Sequence, residues 1–229
     1  MPRRLIAACL ILTACSGLRC WLPGSGARLG DAISLDDNNA TITISETTGD
    51  LQAEVVAVIT DRRERLAELQ SGQTLLVNDE PLAGPDSGGA YRAIIPAAPS
   101  YTVTVNDPTR GVQRTTIFRP PAFAITSPVD GTSASLSGFT VAWSNADSSL
   151  EVEISLSQTI FGEQQLQEFE RTSDTRMRGI EASELGDFQQ GADLVIEVTK
   201  ISGRTNINGF GSAALTSSLT VTSRVSPTS

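Results

Sequence analysis

The sequence predicts an all-β protein built as β-sandwiches. Three observations carry this. Short segments alternate apolar and polar residues with a period of two, most clearly YTVTV at 101–105 and LEVEISL at 150–156. Turn-forming residues recur about every 8–12 positions, the spacing of a sandwich rather than of α/β units. Midway, Arg119-Pro120-Pro121 interrupts the pattern, because two prolines cannot continue a hydrogen-bonded ladder.

The elements follow in order. TITIS at 41–45 alternates, with β-branched residues on the apolar positions. AEVVAVI at 53–59 is a run suited to a strand buried on both faces or nearly so. Asp61-Arg62-Arg63-Glu64-Arg65 mixes signs and reads as an exposed charged turn. After Leu66 and Leu69, the turn Gln70-Ser71-Gly72 leads to a short strand at 74–77. Asn78-Asp79-Glu80-Pro81 and GPDSGG at 84–89 are further turns. Strands at 91–95 and 101–105 are split by PAAPS, and 113–118 is the last strand before the prolines. Residues 40–119 thus read as a first sandwich.

The second stretch, 120–229, repeats the logic. A strand at 124–127 meets the turn SPVDG, and FTVAW at 139–143 alternates. In LEVEISL, Leu150, Val152, Ile154 and Leu156 share one face. Residues 158–180 are open between two readings. Leu166 and Phe169 permit a helical turn, and the polar remainder permits two edge strands. Residues 183–188 suggest a brief helical turn capped by Ser183. Strands at 193–201 and 215–223 follow, and 225–229 reads as a polar tail.

This second stretch resembles a fibronectin type III or immunoglobulin-like module. FTVAWS at 139–144 is similar to the family's strand with a buried Trp, so the resemblance makes Trp143 the core plug. LGDFQQGADLVIEV at 185–198 is similar to a later stretch, with Leu185, a turn at Gly191 and an alternating strand. Leu194 stands where that family usually places a corner tyrosine, so the corner bond would be lost. Residues 40–119 match only a generic sandwich. The whole would be two tandem immunoglobulin-like or fibronectin type III-like β-sandwiches after an N-terminal leader and a tether.

The leader is MPRRLIAACLILTACSG. Arg3 and Arg4 precede an uncharged apolar run of ten residues, 5–14, against the roughly 20 needed to cross a bilayer. A basic start, a short apolar run and small residues before a break form the signal-peptide pattern. Leu12-Thr13-Ala14-Cys15 resembles the bacterial lipobox. The resemblance implies cleavage before Cys15, a diacylglycerol thioether on its sulfur and an acylated amino end. Two or more acyl chains give stable attachment, at about 0.8 kcal/mol per buried CH₂. The alternative is an ordinary cleaved signal with Cys15 a spectator. Ser16, rather than Asp, after the modified cysteine resembles the pattern of outer-membrane sorting. Residues 16–39 lack periodicity and read as a flexible tether, including the solvated run Asp36-Asp37-Asn38-Asn39.

Composition narrows function. Loss of Arg3 and Arg4 takes the formal charge from −9 to −11. Such a chain repels phosphate backbones, so nucleic acid is not an expected partner. No polybasic patch offers a membrane contact, so the membrane would be met through the lipid anchor and an envelope protein would be the partner. The chain contains no His, which removes Ser-His-Asp triads and the commonest metal ligand. No cofactor, metal or catalytic residue is expected; paired carboxylates as in a glycosidase remain the open chemistry. A carbohydrate-binding module is the alternative, although aromatic residues make up only 5%.

The candidate binding loop is SGRTNINGFGS at 202–212, with Phe210 and Arg204 as its contact residues. Phe210 lies between Gly209 and Gly211, so its ring either stands free as an anchor or folds back onto the core edge.

Overall fold

Alternation decides the strands. The computed structural model describes residues 35–229, and it is all-β. The first half holds β1 (Asn38–Thr47), β2 (Gln52–Asp61), β3 (Thr74–Val77), β4 (Glu80–Pro81), β5 (Ala90–Pro96), β6 (Ser100–Asp107) and β7 (Gly111–Phe118). The second half holds β8 (Ile125–Ser127), β9 (Ser133–Ser135), β10 (Gly138–Trp143), β11 (Glu151–Ile160), β12 (Glu163–Ser173), β13 (Met177–Glu181), β14 (Leu194–Thr205) and β15 (Ser212–Thr228).

Three local expectations change, and the open reading of 158–180 is decided for strands. The polar run at 36–39 is not solvated tether. Leu35 is fully buried, Asp36 and Asp37 pair with Arg110 and Arg62, and Asn38 begins β1. Distant arginines supply partners that local composition could not show. Residues 158–180 are strands: β11 and β12 form a hairpin, and β13 follows. The short helical turn spans Ala182–Glu184, and the Glu184 carboxylate rather than Ser183 accepts a backbone N–H, that of Glu181, at 2.8 Å. The polar tail continues β15, because Ser226, Pro227 and Thr228 pair with β9 and Val225 is buried.

One eight-stranded sheet organises the molecule, in the order β12-β11-β14-β15-β1-β2-β5, with β9 also paired to β15. Two smaller sheets, β4-β3-β6-β7 and β13-β10-β8, complete the set. β15 binds the halves together. It pairs in parallel with β1 from Asn39↔Ser212 to Thr47↔Thr220, and antiparallel with β14 from Leu194↔Val225 to Thr205↔Ala214. Arg119-Pro120-Pro121 therefore lies between two cores without dividing the large sheet.

Odd-numbered residues of β15 point inward along its length. Ala213 and Leu215 join a first hydrophobic cluster, with Ile42, Ile44, Val55, Tyr101 and Val103. Leu219 and Val225 join a second, with Trp143, Leu156, Leu194 and Val198. The opposite face carries Thr216, Ser218 and Thr220 beside Thr43, Ser45 and Thr47 of β1. Thr199 and Thr220 hydroxyls bond at 2.8 Å across β14 and β15 on this face. One buried and one hydrated face is the usual condition of an antiparallel-rich sheet.

Candidate functional site

The structure turns the apolar side chains of the expected binding loop, Ile207 and Phe210, inward, while Arg204, Thr205, Asn206 and Asn208 stay exposed. Phe210 is 8% exposed and belongs to the first hydrophobic cluster together with Ile207. The Asn208 N–H donates to Thr115 Oγ1 at 3.1 Å, and its side-chain amide donates to the Arg114 carbonyl at 3.1 Å. Arg204 donates to the Thr116 carbonyl at 3.0 Å. The β14–β15 tip is thus a clasp on β7. The flanking glycines make the clasp fit: Gly209 has φ +100°, a Cβ added there would come within 3.2 Å of the Val105 side chain, and a Cβ at 211 would collide with the Asp36 carbonyl. Their role is close backbone approach, so Phe210 takes the second of its two readings. Cys15 lies outside the described residues.

Sequence reasoning missed a buried charged cluster. Lys200 is the chain's one lysine, and its side chain sits at an inward position of β14 with no exposed surface. Its ammonium donates to Asp174 Oδ2 at 2.8 Å and to the carbonyls of Ser144 and Asn145 at 3.1 and 2.5 Å. It also stands 4.7 Å from the Phe123 ring centroid, within cation–π range. Asp174 in turn accepts Trp143 Nε1–H at 2.7 Å and the Asp147 N–H at 3.0 Å. Burial pushes the Asp174 carboxyl upward, but the bonds from Lys200, Trp143 and Asp147 outweigh it and hold the group below its ordinary range. Every proton of the ammonium has an acceptor, so the cluster is a satisfied ion pair that locks the Trp143 ring. The signal was present in the sequence: Leu194, Ile196, Val198 and Lys200 share one parity.

A second network lies by the end of the first half. Tyr101 donates to Glu46, Arg119 Nη1 bonds the other Glu46 oxygen at 3.1 Å, and the Ala98 N–H reaches the Tyr101 hydroxyl at 3.1 Å. Burial first, and then the Glu46 hydrogen bond, push the Tyr101 phenol up to about 12. Glu46 is buried and Arg119 directly precedes the prolines, so this network fixes where the chain leaves the first core.

Two surface features remain. An open cleft of about 360 Å³ is lined by Leu69, Leu75, Pro81, Leu82, Pro85 and Tyr91. The Tyr91 hydroxyl there already accepts the Leu69 N–H at 2.8 Å. At the β11–β12 turn, Phe161 is fully exposed (102%) with φ +50°. Among the described residues no group of three or more acidic side chains is placed to hold a metal ion, and no helix is long and apolar enough to cross a membrane. No protein-family model matches the chain, and no curated protein matches it in sequence.

Proposed function

We propose that this chain is a lipid-anchored protein of the bacterial envelope, sorted to the outer membrane, that acts as a structural or protein-binding module without catalysis. The lipobox-like Leu12-Thr13-Ala14-Cys15 supports the anchor. The observation that carries the module reading is β15. Seventeen residues run unbroken through both halves and contribute to both cores, a span of about 55 Å at ~3.3 Å per residue. A shared sheet of that length resists bending where two linked units would hinge. The described chain begins at one end of it, where Asn39 pairs with Ser212. A stiff body held by one end keeps its far end at a set distance from the point where the tether joins it. In this reading the second half is an immunoglobulin-like or fibronectin type III-like unit with Trp143 as its core plug.

The test is fractionation of cells making the wild type and Cys15→Ser. The wild type is expected in the membrane pellet with a diacylglycerol on the mature amino end, and the variant in the soluble fraction. Retention of Cys15→Ser in the pellet overturns the anchor.

The hydroxyl-lined outer face of β1, β14 and β15 favours the second reading, a glycan-binding module. Retention on polysaccharide columns that is lost in Thr43→Glu/Thr220→Glu would support it; equal retention of both proteins would dismiss it.

A further inference from the structure

The β11–β12 hairpin carries a residue that folding alone does not explain. β11 pairs with β14 from Glu151↔Ile201 to Gln158↔Leu194. Thr159, Ile160 and the turn therefore project past the end of β14. The turn is Phe161-Gly162, closed by Ile160↔Glu163. Both central residues have positive φ, +50° and +86°, the pattern of a type I′ turn. Asn-Gly suits that turn because Asn tolerates the left-handed region; a bulky aromatic does not. The misplaced residue is also fully exposed, so its ring gains nothing from its own core. An unfavourable backbone and an uncovered aromatic at one position point to selection for contact outside the chain.

Position and charge define the contact. Leu194 pairs with Val225 near the end of β15, whereas Asn39 pairs with Ser212 at its start. The tip thus lies more than about 40 Å, at ~3.3 Å per residue, from where the described chain begins. Leu166, 56% exposed, is a second uncovered apolar side chain on β12. Glu163, Asp187 and Asp193 are exposed at the same end, with Arg224 the cation on β15. We propose that Phe161 is a docking knob for a second protein, entering an apolar cleft rimmed by lysine or arginine side chains. This deepens the protein-binding part of the function proposed above. It would hold for a soluble form too, so failure of anchoring and failure of docking are read separately.

The experiment places photoreactive benzoylphenylalanine at position 161 of the full chain in its native cells, with the same probe at Val112 on β7, 54% exposed, as control. The expected result is one discrete protein adduct at 161 and none at 112. Excess wild-type chain should lower its yield about tenfold or more, while excess Phe161→Asn should not. Glu163→Lys on the probe-bearing chain should weaken it. Purified Phe161→Asn should melt a few degrees higher, because the strain is relieved. The proposal is overturned by equal adducts at both positions or by equal competition from both chains. It is likewise overturned by an adduct to lipid, by an adduct of the mass of two copies, or by a lower melting temperature for Phe161→Asn.

Discussion

Lys200 Nζ lies 2.8 Å from Asp174 Oδ2, and neither side chain exposes any surface. A buried pair is weak evidence for net stability, but breaking one is costly, because the surviving charge is stranded. Lys200→Met should therefore cost about 3–5 kcal/mol in urea unfolding. The double variant Lys200→Met/Asp174→Leu should lose less than the single, which a double-mutant cycle reads directly. A single variant within 1 kcal/mol or so of wild type would show that the pair does not hold the second core.

The same carboxyl sets an acid limit. Its folded pKa lies below the ordinary carboxyl value of 3.8. Its contribution to stability is then present above the unfolded pKa and is lost as pH falls through the folded one. Unfolding midpoints followed from pH 5 downward should drop below about pH 4, and this drop should shrink in Asp174→Asn, which starts from a lower plateau.

At the alkaline end Tyr101 governs. The phenol is raised from 10.0 to about 12 by burial and by Glu46, so stability is present below pH 10 and is lost as pH rises through the folded value. Ultraviolet titration should show Tyr101 resisting ionisation until about pH 12 or until the fold opens. Tyr101→Phe should abolish that late phase while Tyr91, also raised by burial, still titrates. A Tyr101 titrating normally in folded protein would refute the network with Glu46.

With its lysine sealed inside, the folded surface offers no side-chain amine among the described residues. Acylating reagents should leave Lys200 unmodified under native conditions and add one group there in denaturant, as intact mass and peptide mapping would record. Native labelling at Lys200 would contradict its burial.

Phe210 tests the clasp. Phe210→Ala removes a buried aromatic from the first core, a change that costs about 3–5 kcal/mol, and Gly211→Ala should disturb the start of the β1–β15 ladder. Both are expected to lower the melting temperature while partner capture at 161, read below that temperature, persists. Lost capture with unchanged stability would return the 202–212 loop to a binding role.

Local strands were legible because each keeps its own period of two: β3 begins and ends where TLLV does, and YTVTV lies within β6. The joining of the halves was not, since nothing local to TITIS or AALTS announces that Ile42 pairs with Leu215. The β11–β12 turn was hidden because Phe-Gly is outside the usual I′ vocabulary. Glycines around Phe210 pointed two ways, as freedom for a loop or as room for a neighbour, and only the Asp36 carbonyl beside Gly211 decides between them. The cluster at Lys200 was readable as a cation on an apolar parity, but its acceptor, Asp174, sits in an aperiodic link whose fold no pattern sets.

The pairing of Asn39 with Ser212 has a bearing on how the molecule is made. A nascent chain stopped near residue 119 lacks Ile207, Phe210, Ala213 and Leu215, all of which line its first interior. At about 5–20 residues per second, ribosomal supply of those missing pieces lags by roughly 5–20 s. Throughout that interval the early strands offer bare edges and greasy faces to any holdase or protease they meet. If the chain is exported as proposed above, delivery in an unfinished state would suit passage through a narrow pore, and the late arrival of β15 is the step that ends the vulnerable period.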